Sequence, residues 1–217
     1  MPTFGVSAFL KLVSLNAKPR KTELRRRLRG SSSGGYDFHR SLKLASHRYL
    51  VDGVSLEDLL EAAKDVAQLP ERKSLIAGLE RLALWRKGAP GQLRNVPPRV
   101  WESPKGFFKI AVQPEFGLIN EGRLTAFHLW NTKTTDLDED AAYAVLALLP
   151  ELYRDMDDAP TDFGILSLHE PRALLLSQRP AASSSWLVQG VEACIIEIYN
   201  EAGGPPQPTP PGSHPPP

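Results

Sequence analysis

The stretch 124–132 constrains the fold more than any other part of the chain. In a strand successive side chains face opposite ways, so Phe127, Leu129 and Asn131 share one face and His128 and Trp130 the other. Both faces carry large side chains. Such a strand belongs in the middle of a sheet covered on two sides. It reads as one arm of a hairpin. Residues 116–119 are extended, Asn120-Glu121-Gly122 is a turn signal, and the second arm follows at once.

Upstream the apolar spacing is helical. Residues 7–15 carry Phe9, Leu10, Leu12, Val13 and Leu15, which fits a short helix and is also compatible with a strand. Lys18-Pro19-Arg20 should break it, and Thr22 can cap a second helix over 23–29. Residues 30–35 form a Ser/Gly linker. Three helices are then predicted. The first covers 37–51 and ends in an Asp52-Gly53 turn. The second is capped by Ser55, with Asp58 three residues on, and runs to about residue 69, where Pro70 ends it. The third runs from Glu71 to Gly88. A Pro- and Gly-rich connector, 88–106, holds Val100 and Trp101 as a short strand.

Past 106 the period changes. Residues 107–112 read as a strand that Pro114 interrupts, ahead of the hairpin. Residues 138–153 form a helix with an acidic first turn, which suits the helix dipole. Strands at 163–168 and 173–176 flank a Glu170-Pro171-Arg172 turn, and Ser184 or Ser185 caps a last helix through Tyr199. The fold class expected is α+β: a basic helical region over 1–95, then an α/β domain over 96–202 with a small mixed sheet and flanking helices. Residues 203–217 are mostly proline and should form an extended, disordered tail.

The net charge of +1 hides an asymmetry. Residues 1–99 carry 19 Lys/Arg against 9 Asp/Glu, a net +10, and residues 100–217 carry 7 against 16, a net −9. Lys18, Arg20, Lys21, Arg25, Arg26, Arg27 and Arg29 lie close together. Such a cluster can neutralise nucleic-acid phosphates, or it can clasp the acidic half of its own chain. The sequence leaves both open. Cys194, the single cysteine, sits in an apolar helical pattern and reads as a small buried hydrophobe. No apolar run reaches the ~18 residues of a membrane span. The N-terminal apolar stretch precedes its basic cluster, the reverse of a secretory signal, so a bacterial-type cytoplasmic location is expected.

Familiar catalytic signatures are absent: there is no phosphate-binding Gly loop, nucleophile elbow or Cys/His metal spacing. His39 and His47 are two helical turns apart, too far to share a metal, and Asp155, Asp157 and Asp158 read as a solvated loop. One order of residues carries chemistry. Pro114-Glu115 lies near the end of a strand, Asn131-Thr132-Lys133 ends the next, and a helix and another strand follow. Over residues 75–176 this resembles the PD-(D/E)XK, restriction-endonuclease-like superfamily. The resemblance implies Glu115 as first acid and metal ligand, Lys133 as the charge-steadying lysine, and Mg²⁺ as the ion. Asn131 stands where the family usually has an acid or Gln, and its neutral oxygen lowers metal affinity. The function expected is a nuclease-like domain, intact or degenerate, that binds or cleaves nucleic acid with the Arg cluster on phosphate. The alternative is a non-enzymatic protein that uses the hairpin edge or the last helix to bind a protein partner or itself as a homo-oligomer.

Overall fold

The computed structural model describes residues 1–29, 40–132, 137–180 and 186–204. The linker 30–35, His39, Lys133, the expected Ser184/Ser185 cap and residues 205–217 of the tail lie outside them.

The chain opens with a short strand, β1 (Thr3–Gly5), and then α1 (Val6–Ser14). In α1 the residues Val6, Phe9, Leu10, Leu12 and Val13 are buried at helical spacing. Pro19 breaks nothing. It sits in the first turn of α2 (Ala17–Leu28), where its missing N–H would have had no partner. Thr22 therefore lies inside α2 instead of capping it, and its hydroxyl donates to the Lys18 carbonyl at 3.2 Å. After α3 (Arg40–Leu50), Gly53 turns the chain at φ 73°. Ser55 caps α4 (Leu56–Ala63) by accepting from the Asp58 N–H at 3.0 Å. The boundary expected near Pro70 is different in the structure. α4 stops at Ala63, and Pro70 opens α5 (Leu69–Gly88) rather than closing the helix before it.

The strands are β2 (Gln92–Arg94), β3 (Arg99–Glu102), β4 (Lys109–Val112), β5 (Phe116–Asn120) and β6 (Arg123–Trp130). Glu121 and Gly122, with φ 50° and 75°, form the two-residue turn between β5 and β6. Next come α6 (Glu139–Leu146) and α7 (Leu149–Tyr153). The sequence pattern predicts one helix here. Pro150 divides it, because its ring clashes with the carbonyl four residues back, at Leu146. β7 (Asp162–Ser167), β8 (Arg172–Leu175) and α8 (Trp186–Glu201) complete the fold.

The larger sheet has the order β2-β5-β6-β7-β8, and a smaller one has β1-β4-β3. β5 and β6 are antiparallel, while the α6–α7 crossover makes β6 and β7 parallel. One face of the larger sheet buries Phe116, Phe127, Leu129 and Leu166 against Leu42, Leu59 and Leu79 of α3, α4 and α5. The other buries Ala126, Trp130, Phe163 and Ile165 against Phe9, Ala142 and Val191 of α1, α6 and α8. β6 is thus the doubly covered central strand that its side chains require.

The boundary expected at residue 95 is crossed repeatedly. β1 pairs with β4, β2 pairs with β5, and α2 packs on α8. β2 pairs with β5 from Gly117 to Ile119 and β7 pairs with β6 from Thr125 to Trp130, so the sheet's edges are β2 and β8. Among the described residues no helix is long and apolar enough to cross a membrane.

Candidate functional site at the ends of β5 and β6

Pro114 and Glu115 join β4 to β5. The Glu115 N–H donates to the Phe127 carbonyl at 2.9 Å, and the β5 ladder begins one residue later. Beyond that point the Leu129 N–H takes its acceptor from a side chain: Glu115 Oε2, at 2.8 Å. The same oxygen lies 3.0 Å from His128 Nδ1. That contact is close but poorly directed, since Nδ1 is buried and has no well-aligned acceptor. His128 Nε2 meets Ser7 Oγ of α1 at 2.7 Å. Glu115 is 4% exposed and His128 6%.

Asn131 follows the same strand directly but turns to the opposite face. Its Nδ2 donates to Ser74 Oγ of α5 at 3.1 Å, and its buried Oδ1 has no partner among the described residues. The sequence-predicted trio is therefore only partly assembled. Glu115 is held by Leu129 and His128, Asn131 is held by α5, and Lys133 lies outside the described residues. Hard divalent cations prefer several carboxylate and water oxygens. One engaged carboxylate and one amide tied to a different element do not fit that need, and among the described residues no group of three His, Cys, Asp or Glu could hold a metal ion.

Glu115 also borders a groove of about 530 Å³ between Gln113-Pro114-Glu115 and one face of α3. From α3 come Arg40, Lys43 and His47, with Leu44 among them. Arg40, Lys43 and His47 recur at i, i+3 and i+7, one helical face. Sequence reasoning missed this stripe, although its spacing was readable. Two cations and a histidine spread over two turns stand out less than seven cations within twelve residues.

That denser cluster is largely engaged within the chain. Arg20 is buried, donating through Nε to the Leu12 carbonyl at 2.9 Å and through Nη2 to Val13 and Leu15 at 2.9 and 2.7 Å. It closes the C-terminal end of α1. Lys21 pairs with Glu197 and Glu201, and Arg25 pairs with Glu201, both across to α8. Hydrogen bonds from Lys21 and then Arg25 hold the Glu201 carboxyl below its ordinary range. Arg26 and Arg27 both bond Glu23 of their own helix. Lys18 and Arg29 are exposed.

Cys194 is half-buried against the α1/α6/α8 core. Burial, then the charge of Glu197, pushes its thiol up, away from the thiolate a nucleophile needs. No family model matches the chain, and no curated protein sequence matches it significantly.

Proposed function

We propose that the chain is a degenerate restriction-endonuclease-like domain that grips nucleic-acid phosphates along the α3 groove without cleaving them by a divalent metal. The order β5–β6 hairpin, α6 and parallel β7, with Glu115 before the first strand and Asn131 after the second, supports the fold side of this reading. The groove carries the functional side. Arg40, Lys43 and His47 face Pro114-Glu115, where the resemblance would put a phosphate backbone. Lys and Arg at helical spacing can follow adjacent phosphates, and each phosphate neutralised releases counterions. The engagement of Glu115 with Leu129 and His128, and of Asn131 with Ser74, argues against a metal-activated water.

The test is fluorescence anisotropy of a labelled duplex at about 50 and about 200 mM salt. Binding should weaken with salt, and Arg40→Ala/Lys43→Ala should weaken it further and flatten the logarithmic salt slope by about 2. No binding at the lower salt, or binding indifferent to the double variant, would sink the proposal. Plasmid nicking with Mg²⁺ that disappears in Glu115→Ala would replace it with an active nuclease.

A second reading has its own observation. Leu44 is 58% exposed in the middle of the basic stripe, which suits an acidic peptide with an apolar anchor. Leu44→Ser would abolish capture of such a peptide and leave duplex binding almost untouched.

A further inference from the structure

Ser7, His128 and Glu115 come from elements far apart in the chain, yet they form one line of contacts. Ser7 Oγ stands 2.7 Å from Nε2 of the imidazole, and Glu115 Oε2 stands 3.0 Å from Nδ1. In a neutral imidazole one nitrogen donates and the other accepts. A carboxylate beside Nδ1 holds the proton there and leaves Nε2 to accept from the serine. That polarity is what activates a serine as nucleophile. Glu115 is itself fixed by the Leu129 N–H at 2.8 Å. The bent Nδ1 contact is consistent with this role, since such bonds are often slack before substrate arrives and tighten with it.

The surroundings of Ser7 fit the same chemistry. Ser7 is the second residue of α1 and follows β1 directly. Gly5, the N-cap, offers no side chain to the first N–H groups of the helix, which include that of Ala8. These donors, with the helix dipole behind them, can stabilise negative charge forming beside Ser7. Gly5 is exposed, with no atom within 4 Å of where a Cβ would sit. Ser7 and Ala8 are half-buried, whereas His128 behind them is buried. The serine is thus approached from solvent and the base is shielded from it.

We propose that Ser7 is the nucleophile of an acyl-transfer site for small carboxylic esters. Ser7 Oγ bonds to the ester carbonyl carbon while its proton passes to His128 Nε2. The oxyanion collapses, the bond to the alcohol oxygen breaks, and the alcohol leaves with the proton from Nε2. Water then attacks the acyl-serine, giving its proton to Nε2. The bond to Ser7 Oγ breaks, Oγ recovers that proton, and a carboxylic acid is released. Ser7 and His128 are the catalytic residues, and Glu115 is a positioning residue. None of this rests on the phosphate reading of the α3 groove.

The full chain would be treated with a fluorophosphonate probe and the labelled peptide identified by mass, with p-nitrophenyl acetate hydrolysis followed in parallel. The wild-type chain should be labelled at Ser7 and hydrolyse the ester. Ser7→Ala should lose both, and His128→Gln should slow labelling by about 10²-fold or more. Glu115→Gln should slow it less, lowering kcat for the ester with KM almost unchanged, a split that loss of packing alone would not produce. Labelling of Ser7 no faster than in the heat-unfolded chain overturns the proposal, as does labelling unchanged in His128→Gln. Should His128→Gln fail to fold, the wild-type pH profile decides. Labelling that rises through one ionisation supports the relay, and labelling independent of pH overturns it.

Discussion

Arg20→Ala separates a structural arginine from a phosphate-binding one. The guanidinium makes three hydrogen bonds to carbonyls at the end of α1, at 2.7 to 2.9 Å. Hydrogen bonds to charged groups contribute about 1.5–3 kcal/mol each, but the sum overstates the loss. Truncation opens a space the size of the guanidinium, and water entering it satisfies part of what the side chain leaves behind. Leu12 and Val13 are nearly inaccessible, so water reaches their carbonyls poorly, whereas Leu15 is half-buried and recovers more. A net loss of about 3 kcal/mol is expected. For a chain of this size that lowers Tm by about 6–12 °C. The guanidinium also lies against α8, since a Cβ at Gly190 would come within 3.0 Å of Nη1. Arg20→Lys should recover less than half of the loss, because one ammonium cannot reproduce the fork. Lys18→Ala and Arg29→Ala, which change exposed side chains, should barely move Tm. Thermal melts followed by circular dichroism check the set. If Arg20→Ala melts within about 2 °C of wild type and weakens duplex binding as Arg40→Ala does, the structural assignment fails.

Gly164→Ala should destabilise by about 1–3 kcal/mol. Its Cβ would sit 2.6 Å from Phe127 Cε1 and 2.9 Å from Leu175 Cδ2, and the Phe127 ring, stacked on Phe116 at 5.2 Å, has little room to yield. Chemical denaturation would show a lower midpoint with an unchanged slope. Glu23 is held down to about 2 from 4.5, first by its hydrogen bond from Arg26 and also by Arg27. A depressed carboxyl contributes stability above its unfolded value and loses it as pH falls toward the folded one. The Tm gap between wild type and Glu23→Gln should therefore be present at neutral pH, shrink below 4.5 and close near 2. Persistence of the gap in strong acid would contradict the assignment. Tyr153, whose hydroxyl donates to the Pro97 carbonyl at 2.9 Å, is pushed up to about 12 by burial. Ultraviolet titration should show Tyr153 ionising late, and its stabilisation should decline as pH rises past 10.0, the ordinary phenol value. Tyr153→Phe should remove that late step and cost about 1–2 kcal/mol.

Segments whose own side chains decide their structure were readable in the sequence. The two-faced pattern of β6 demanded cover on both sides, and α5 with α6 and their neighbours supplies it. Ser55 and the Glu121-Gly122 turn act through short-range bonds and stand where the residues indicate. Proline misled, because it closes a helix or opens one depending on what precedes it. Pro19 and Pro70 both lie in first turns. β1 and β2 were invisible for a different reason. Each is three residues long and owes its form to a partner far away, β4 and β5 respectively. The relay of Ser7, His128 and Glu115 was hidden in the same way. No spacing links residues 7, 115 and 128 until α1 is laid against the end of β6.

The charge asymmetry of the chain has a physical outcome that its sum conceals. A density of arginines suggests a free basic surface, yet density also puts each cation within reach of any acid nearby. Glu23 takes Arg26 and Arg27, while Glu197 and Glu201 draw Lys21 and Arg25 onto α8. The pairs of Lys21 and Arg25 with α8 lie at the surface, so each contributes little at physiological salt and can exchange for a phosphate at small loss. Arg20 cannot exchange, because two of its three carbonyl partners, those of Leu12 and Val13, are covered. On α3 the stripe of Arg40, Lys43 and His47 is sparser and lines an open groove. His47 has Asp52 at 3.6 Å, while Arg40 and Lys43 have no acid paired with them among the described residues. Two cations without an acid paired to them among the described residues, lining an open groove, attract a polyanion more strongly than several already neutralised. A chain with Lys21→Gln/Arg25→Gln should therefore bind duplex nearly as wild type does, and melt earlier at low salt than at high salt relative to it. A collapse of binding in that variant would return the phosphate site to α2.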